Sequence, residues 1–108
     1  MNFTPLNKIL KTISEVKQLI FNNGEGEVFL FGSRARGDES ENSDWDLLIL
    51  TPNKIDNQRD FDKYISPFIE IGWQLDEEIK PIHYSYEEWK SRDRTLFFHN
   101  VTRDAIKL

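Results

Sequence analysis

The sequence predicts a single α+β domain in which a small mixed β-sheet is flanked by helices. Apolar residues recur at helical spacing near the N-terminus, and short β-prone runs then alternate with further helical patterns. The chain has 108 residues, which favours one domain over residues 1–108. The predicted order is helix, strand, tight turn or short helix, strand, helix, strand and two final helices, an order that fits helices packed on one mixed sheet.

The first helix is predicted to begin with Thr4 as its cap and Pro5 in its first turn, and to end at residues 22–24. One face of this helix carries the apolar residues Leu6, Ile9, Leu10, Ile13, Val16 and Ile20. Residues 28–31 are wholly apolar and predict a buried strand, and residues 45–50 predict a second one.

The middle of the chain predicts another helix and a third strand. The helical pattern over residues 56–71 contains Pro67, so either the helix kinks or a second helix begins with Ser66 as its cap. Residues 78–84 predict a strand, and Pro81 within it lacks a backbone donor, which favours the edge of the sheet.

The C-terminal part of the chain predicts two helices. Residues 85–88 form a capping-box pattern, and residues 95–105 form the last helical pattern. Trp73 and Trp89 are expected to be packing residues, and each of the two histidines, His83 and His99, is expected to be a surface or hydrogen-bonded side chain rather than a ligand.

Composition excludes several classes of function. The formal net charge is −5 with an isoelectric point near 5.0, which argues against an extended nucleic-acid surface. Without cysteine there are no disulfides and no thiol catalysis. Because no apolar run approaches a membrane span and residues 1–5 do not form a signal peptide, we expect no membrane partner and a cytoplasmic location.

A candidate phosphate site follows the first strand. Gly32 lets a ligand approach the backbone, and the N–H groups at the start of a helical turn favour an anion. Ser33 adds a hydroxyl, and Arg34 and Arg36 add positive charge that suits a phosphate. Taken alone, the same segment also fits an ordinary turn with solvated arginines.

A candidate metal site begins the second strand. Asp44 and Asp46 are two residues apart, so they project from one face with backbones about 6–7 Å apart, while Trp45 points into the core. Two carboxylates suit Mg²⁺, which completes its shell with phosphate oxygens and water. A solvated acidic edge is the alternative, but the apolar run that follows makes two unpaired carboxylates costly here.

The two segments together resemble a known family. Residues 30–37 (LFGSRARG) and 43–49 (SDWDLLI), with ten residues between Ser33 and Asp44, resemble the nucleotidyltransferase superfamily of DNA polymerase β, and within it the minimal nucleotidyltransferase (MNT) domain. The order of the remaining elements fits the same family, so the resemblance extends over nearly the whole chain.

The resemblance implies a nucleotidyltransferase fold with its site at one end of the sheet. It implies that Gly32 and Ser33 contact the triphosphate, and that Asp44 and Asp46 bind Mg²⁺ and carry the catalysis. It further implies transfer of a nucleoside monophosphate from ATP or another nucleoside triphosphate to a hydroxyl of a protein or a small molecule, with release of pyrophosphate.

One position departs from the family pattern. Transferases of this family usually carry a third carboxylate on the next strand, where this chain reads EEIKPIH over residues 77–83. Lys80 or Pro81 stands about where that acid is expected. Glu78 is the first candidate to replace it and Asp76 the weaker one. Loss of this acid would slow the chemistry while nucleotide binding survives.

Two function classes therefore remain open. The first is an active metal-dependent nucleotidyltransferase. The second is a catalytically weak or inactive MNT-fold binding module, an antitoxin-like partner of a HEPN-domain protein. The resemblance suggests such a partner because stand-alone MNT proteins are often paired with a HEPN-domain toxin, which the MNT partner can silence by adenylylation. Because the short chain has no obvious acceptor-binding domain, we expect it to borrow that surface from a partner protein or a second copy of itself.

Overall fold

The helices and strands of the chain are given by a computed structural model that describes residues 5–108, with side chains from residue 8 onward. The elements are α1 (Pro5–Ile20), β1 (Glu27–Phe31), α2 (Ser33–Arg36), β2 (Trp45–Thr51), α3 (Gln58–Tyr64), α4 (Ser66–Leu75), β3 (Ile79–Ser85), α5 (Tyr86–Lys90), α6 (Leu96–Asp104) and β4 (Ile106–Lys107). The predicted cap at Thr4 and the predicted apolar contact of Leu6 lie outside the described part.

The four strands form one mixed sheet in the order β3-β2-β1-β4. β1 is antiparallel to both β2 and β4, whereas β2 and β3 are parallel. β3 lies at an edge, as Pro81 predicts, and β2 lies inside the sheet with nearly every side chain buried. The predicted α+β fold with a small mixed sheet is confirmed.

Helices cover both faces of this sheet. On one face, α1 and α4 pack over alternate strand residues that include Val28, Leu30, Trp45, Leu47 and Ile49. On the other face, α5 and α6 cover Leu48 and Leu50, with Trp89 and Val101 packed against them. Since side chains alternate along a strand, the two sets come from the same strands, which explains why these runs read as wholly apolar.

Three details differ from the sequence predictions. The second of the paired helices, α4, begins at Ser66 as the alternative proposed, but Ile65 occupies the cap position and Pro67 lies in the first turn, where its missing N–H has no helical partner. β4 was not predicted, because two exposed residues carry no strand pattern. The expectation that Trp73 packs in the core is wrong, since it is 76 % exposed.

Among residues 5–108, none of the helices combines the length and the apolar character that a membrane crossing needs.

Candidate active site

The two predicted half-sites meet at one end of the sheet. Phe31, the last residue of β1, is the cross-strand partner of Asp46 near the start of β2. The turn that follows Phe31 therefore lies beside Asp44 and Asp46, which we call the acidic pair. Trp45 is 1 % exposed in the core, so Asp44 and Asp46 on either side of it face the opposite way, as predicted.

Gly32 fits tightly against the acidic pair. Its φ of 77° and ψ of −160° place it in a region that is open essentially to glycine alone. A β-carbon at this position would collide with Oδ2 of Asp46. The absence of a side chain thus leaves room for the carboxylate and keeps the backbone of the turn open to a ligand.

A short helix starts at this glycine. The N–H groups of Ala35 and Arg36 both bond to the carbonyl of Gly32, each at 3.1 Å, which closes the first turn of α2. The N–H groups of the first residues of a helix have no partner within it, so those of Ser33 and Arg34 are the donors that a ligand anion would use. The predicted tight or helical turn is confirmed.

The negative charge of Asp46 is unfavourable in its surroundings. The pKa of Asp46 is raised from its usual value, chiefly by burial and then by repulsion from Asp44, while Lys80 and Arg36 act in the opposite direction. Both causes penalise the second negative charge at this spot. A divalent cation placed between the two carboxylates would remove that penalty.

Lys80 contacts the acidic pair from the neighbouring strand β3. It lies opposite Asp46 in the parallel pairing of β2 and β3, and its Nζ is 3.0 Å from Oδ2 of Asp44 and 3.8 Å from Oε1 of Glu78. The bond to Asp44 is the main reason that the pKa of Lys80 is raised. The ammonium group of Lys80 therefore reaches the acidic pair from the neighbouring strand.

The donor set suits a metal ion that arrives with its own ligands. Among the described residues, no group of three or more His, Cys, Asp or Glu side chains is placed to hold a metal ion. Two carboxylates at the mouth of an open site match the way Mg²⁺ is bound by one or two acids together with substrate phosphates and water. Asp44 and Asp46 thus fit this ion when phosphate oxygens complete the shell.

Arg34 is engaged with the loop before β2. Its Nη2 donates to the carbonyl of Ser43 at 3.0 Å, its Nε to the same carbonyl at 3.3 Å, and its guanidinium carbon lies 4.4 Å from the centre of the Trp45 ring. These contacts fix the residues on either side of Asp44. Arg34 as a phosphate ligand remains a prediction.

Arg36 has acidic partners of its own. Its Nε donates to Asp38 and its Nη1 to Asp104, each at 3.1 Å. Asp104 ends α6 and also accepts from Arg103. The sequence offered no signal for the link between Arg36 and Asp104, because 68 residues separate them and Asp104 belongs to no spaced motif. Arg36 as a phosphate ligand likewise remains a prediction.

The comparisons with known proteins identify the family to which the chain belongs. A sequence model of the nucleotidyltransferase domain family matches residues 6–100, and the chain therefore belongs to that family. No curated protein matches the chain. A crystal structure of a candidate nucleotidyltransferase from Sulfolobus solfataricus is similar, with a TM-score of 0.61 and 26 % identity over 95 % of this chain and 81 % of that one.

A second solved structure shares the fold. It is a toxin–antitoxin structure with AMP-PNP, with a TM-score of 0.57 and 21 % identity over 94 % of this chain and 70 % of that one. At this identity the likeness shows the fold alone.

Proposed function

We propose that the protein is a metal-dependent nucleotidyltransferase that moves a nucleoside monophosphate from ATP or another nucleoside triphosphate to a hydroxyl of a protein or a small molecule. Membership of the nucleotidyltransferase domain family supports the class of reaction. The observation that carries the proposal is the contact between Gly32 and the carboxylate of Asp46, because it joins the anion-binding turn and the acidic pair into one site.

The roles of the binding residues follow from their positions. The Ser33 hydroxyl and the first N–H groups of α2 hold the triphosphate, and Asp44 and Asp46 hold Mg²⁺. Held by these residues, Mg²⁺ would supply positive charge for the α-phosphate and would help to orient the incoming hydroxyl. Arg36 contributes a positive charge near the phosphates once a nucleotide competes with its acidic partners, and Arg34 keeps the loop before Asp44 in place.

The transfer itself exchanges one bond for another. The acceptor oxygen forms a bond to the α-phosphorus, the bond from that phosphorus to the bridging oxygen breaks, and pyrophosphate leaves with the electron pair. The hydroxyl proton goes to a base. Glu78 is the candidate base, since its carboxylate lies 3.8 Å from Lys80, which contacts the acidic pair, and its side chain is 68 % exposed.

The part of the chain that the structure describes leaves the acidic pair partly open to solvent. The side chains of Asp44 and Lys80 are 32 % and 55 % exposed, so the described residues leave the acceptor side open. We propose that a partner completes it, either a HEPN-domain protein or a second copy of the chain. We also propose a cytoplasmic location, because the donor nucleoside triphosphate must be supplied to the site.

A specific observation favours the second candidate function, a catalytically weak MNT-fold module of the antitoxin type. The ammonium group of Lys80 lies 3.0 Å from Asp44, on the strand where the family pattern has a third carboxylate to assist the attacking hydroxyl. Such a module would bind the nucleotide and a HEPN-type toxin with little or no transfer. The toxin–antitoxin structure with AMP-PNP shares the fold that this role requires.

Label transfer from ATP distinguishes the two functions. The chain is incubated with Mg²⁺, α-labelled ATP and the product of the adjacent reading frame when that product is HEPN-like. The transferase account predicts label on the partner and its loss in the double variant Asp44→Asn/Asp46→Asn, with Asp93→Asn on the exposed segment after α5 as the matched control. Labelling that survives in the double variant would refute the assigned site, and nucleotide binding without labelling would favour the binding module.

A further inference from the structure

Lys80 places an ammonium group within a cluster of carboxylates. Its Nζ lies 3.0 Å from Asp44 and 3.8 Å from Glu78, and its backbone is directly opposite that of Asp46. The side chain is 55 % exposed, so it is free to change rotamer without disturbing the core. The Asp44 oxygen that Lys80 contacts is one that a metal ion would need.

We propose that Lys80 is a built-in counter-ion of the Asp44–Asp46 pair, which keeps free divalent metal out and moves to the phosphates when a metal–nucleotide complex binds. The ligand class that the site takes is then a metal–triphosphate complex rather than the metal alone. This inference rests on the proposed function, because it assumes that the acidic pair and the Gly32 turn bind one nucleotide.

Charge balance explains the exclusion of free metal. The two aspartates carry two negative charges, and the ammonium neutralises one of them while it occupies an oxygen of Asp44. A free divalent ion must displace this group and gains only two protein ligands in return. A metal–triphosphate complex instead brings anionic oxygens that give the displaced ammonium a new partner.

The other cations near the site are held elsewhere. Arg36 is bonded to Asp38 and Asp104, and Arg34 is bonded to the Ser43 carbonyl and stacked on Trp45. Of these three cations, Lys80 is the one that forms an ion pair with a member of the acidic pair, Asp44. The proposed exchange between carboxylate and phosphate therefore falls on Lys80.

The test measures binding of Mn²⁺, followed by its electron paramagnetic resonance signal, with and without an ATP analogue that cannot transfer its α-phosphate. We expect Lys80→Ala to bind Mn²⁺ alone about fivefold more tightly than the parent chain, the size of effect that an exposed ion pair supports. Lys80→Arg, which keeps the charge, should bind Mn²⁺ as weakly as the parent. With the analogue present, Lys80→Ala should lose this advantage and bind the complex no more tightly than the parent.

Controls separate this inference from the proposed function. Lys90→Ala, at an exposed position in α5, should leave both affinities unchanged, and thermal melting of each variant verifies folding. Equal Mn²⁺ affinity of Lys80→Ala and the parent, or no measurable Mn²⁺ binding by either, would overturn the counter-ion role. Failure of the parent to bind the metal–analogue complex at millimolar concentration would instead count against the proposed function, whatever the outcome with metal alone.

Discussion

Gly32 and Asp46 are fitted to each other across the end of β1 and the start of β2. Gly32 adopts a backbone conformation that residues with a side chain rarely adopt. A β-carbon at this position would collide with the Asp46 carboxylate. The pair links the turn that would hold a phosphate to the strand that would hold a metal ion.

Gly32→Ala should therefore lose metal-dependent nucleotide binding and destabilise the chain by about 1–3 kcal/mol, the cost of a strained backbone. Gly37→Ala is the matched control, because Gly37 also has a positive φ but has open space around its α-carbon. That variant should lose about 1–2 kcal/mol from the left-handed backbone and retain nucleotide binding. Chemical denaturation and calorimetric titration measure the two effects, and equal loss of binding in both variants would contradict the role of the contact.

Arg34 should act by positioning the loop that leads to Asp44. Arg34→Ala removes the bonds to the Ser43 carbonyl and the stacking on Trp45, so we expect a stability loss of about 1 kcal/mol and weaker binding of Mg²⁺–ATP. Arg34→Lys should not restore binding, because an ammonium cannot bond from two nitrogens while it stacks as a plane. Parent-like affinity in Arg34→Lys would show that charge alone matters.

Glu78 is the candidate base, and its removal should affect rate rather than affinity. Glu78→Gln keeps the size of the side chain but cannot accept the acceptor's proton, so label transfer should slow while nucleotide binding persists. Asp76→Asn tests the weaker candidate without straining the backbone, since Asp76 lies in the left-handed cap of α4, a conformation that asparagine also adopts. We expect this variant to leave the rate of transfer unchanged. An unchanged rate of label transfer in Glu78→Gln would show that Glu78 is not the base.

His83 lies away from the acidic pair and should make the fold sensitive to pH. Thr51 donates its hydroxyl to the carbonyl of Asn53, so the 2.6 Å contact between Thr51 Oγ1 and His83 Nε2 requires the histidine nitrogen to be the donor. Burial lowers the pKa of His83, an effect that Glu88 partly opposes. The expected hydrogen-bonded histidine is confirmed.

The sign of the pH effect follows from this lowered pKa. Below the ordinary value of about 6.5 the unfolded chain binds a proton that the folded chain resists, so stability falls as the pH drops through that range. His83→Gln keeps a donor but does not titrate. The stability advantage of the parent should therefore shrink between pH 7.5 and pH 5.5 in denaturation curves, and a difference that stays constant or grows would contradict this linkage.

The sequence predicts much of this arrangement for reasons that remain local. Gly32 ends the first strand at the turn. The alternation of residues 44–46 turns Trp45 into the core and both aspartates to the opposite face, and Pro81 correctly predicts an edge strand. Long-range pairings are different. The salt bridge of Arg36 with Asp104 and the stacking of Arg34 on Trp45 depend on how distant segments pack, and β4 forms only because β1 offers it an edge.

The central claim is that the Gly32 turn and the two aspartates bind one metal–nucleotide complex. Calorimetric titration with ATP, in the presence and absence of Mg²⁺, tests this on the parent chain and on Asp46→Asn. We expect binding at up to millimolar ATP that requires Mg²⁺ and disappears in the variant. Binding that is independent of Mg²⁺, or that Asp46→Asn leaves unchanged, would contradict it.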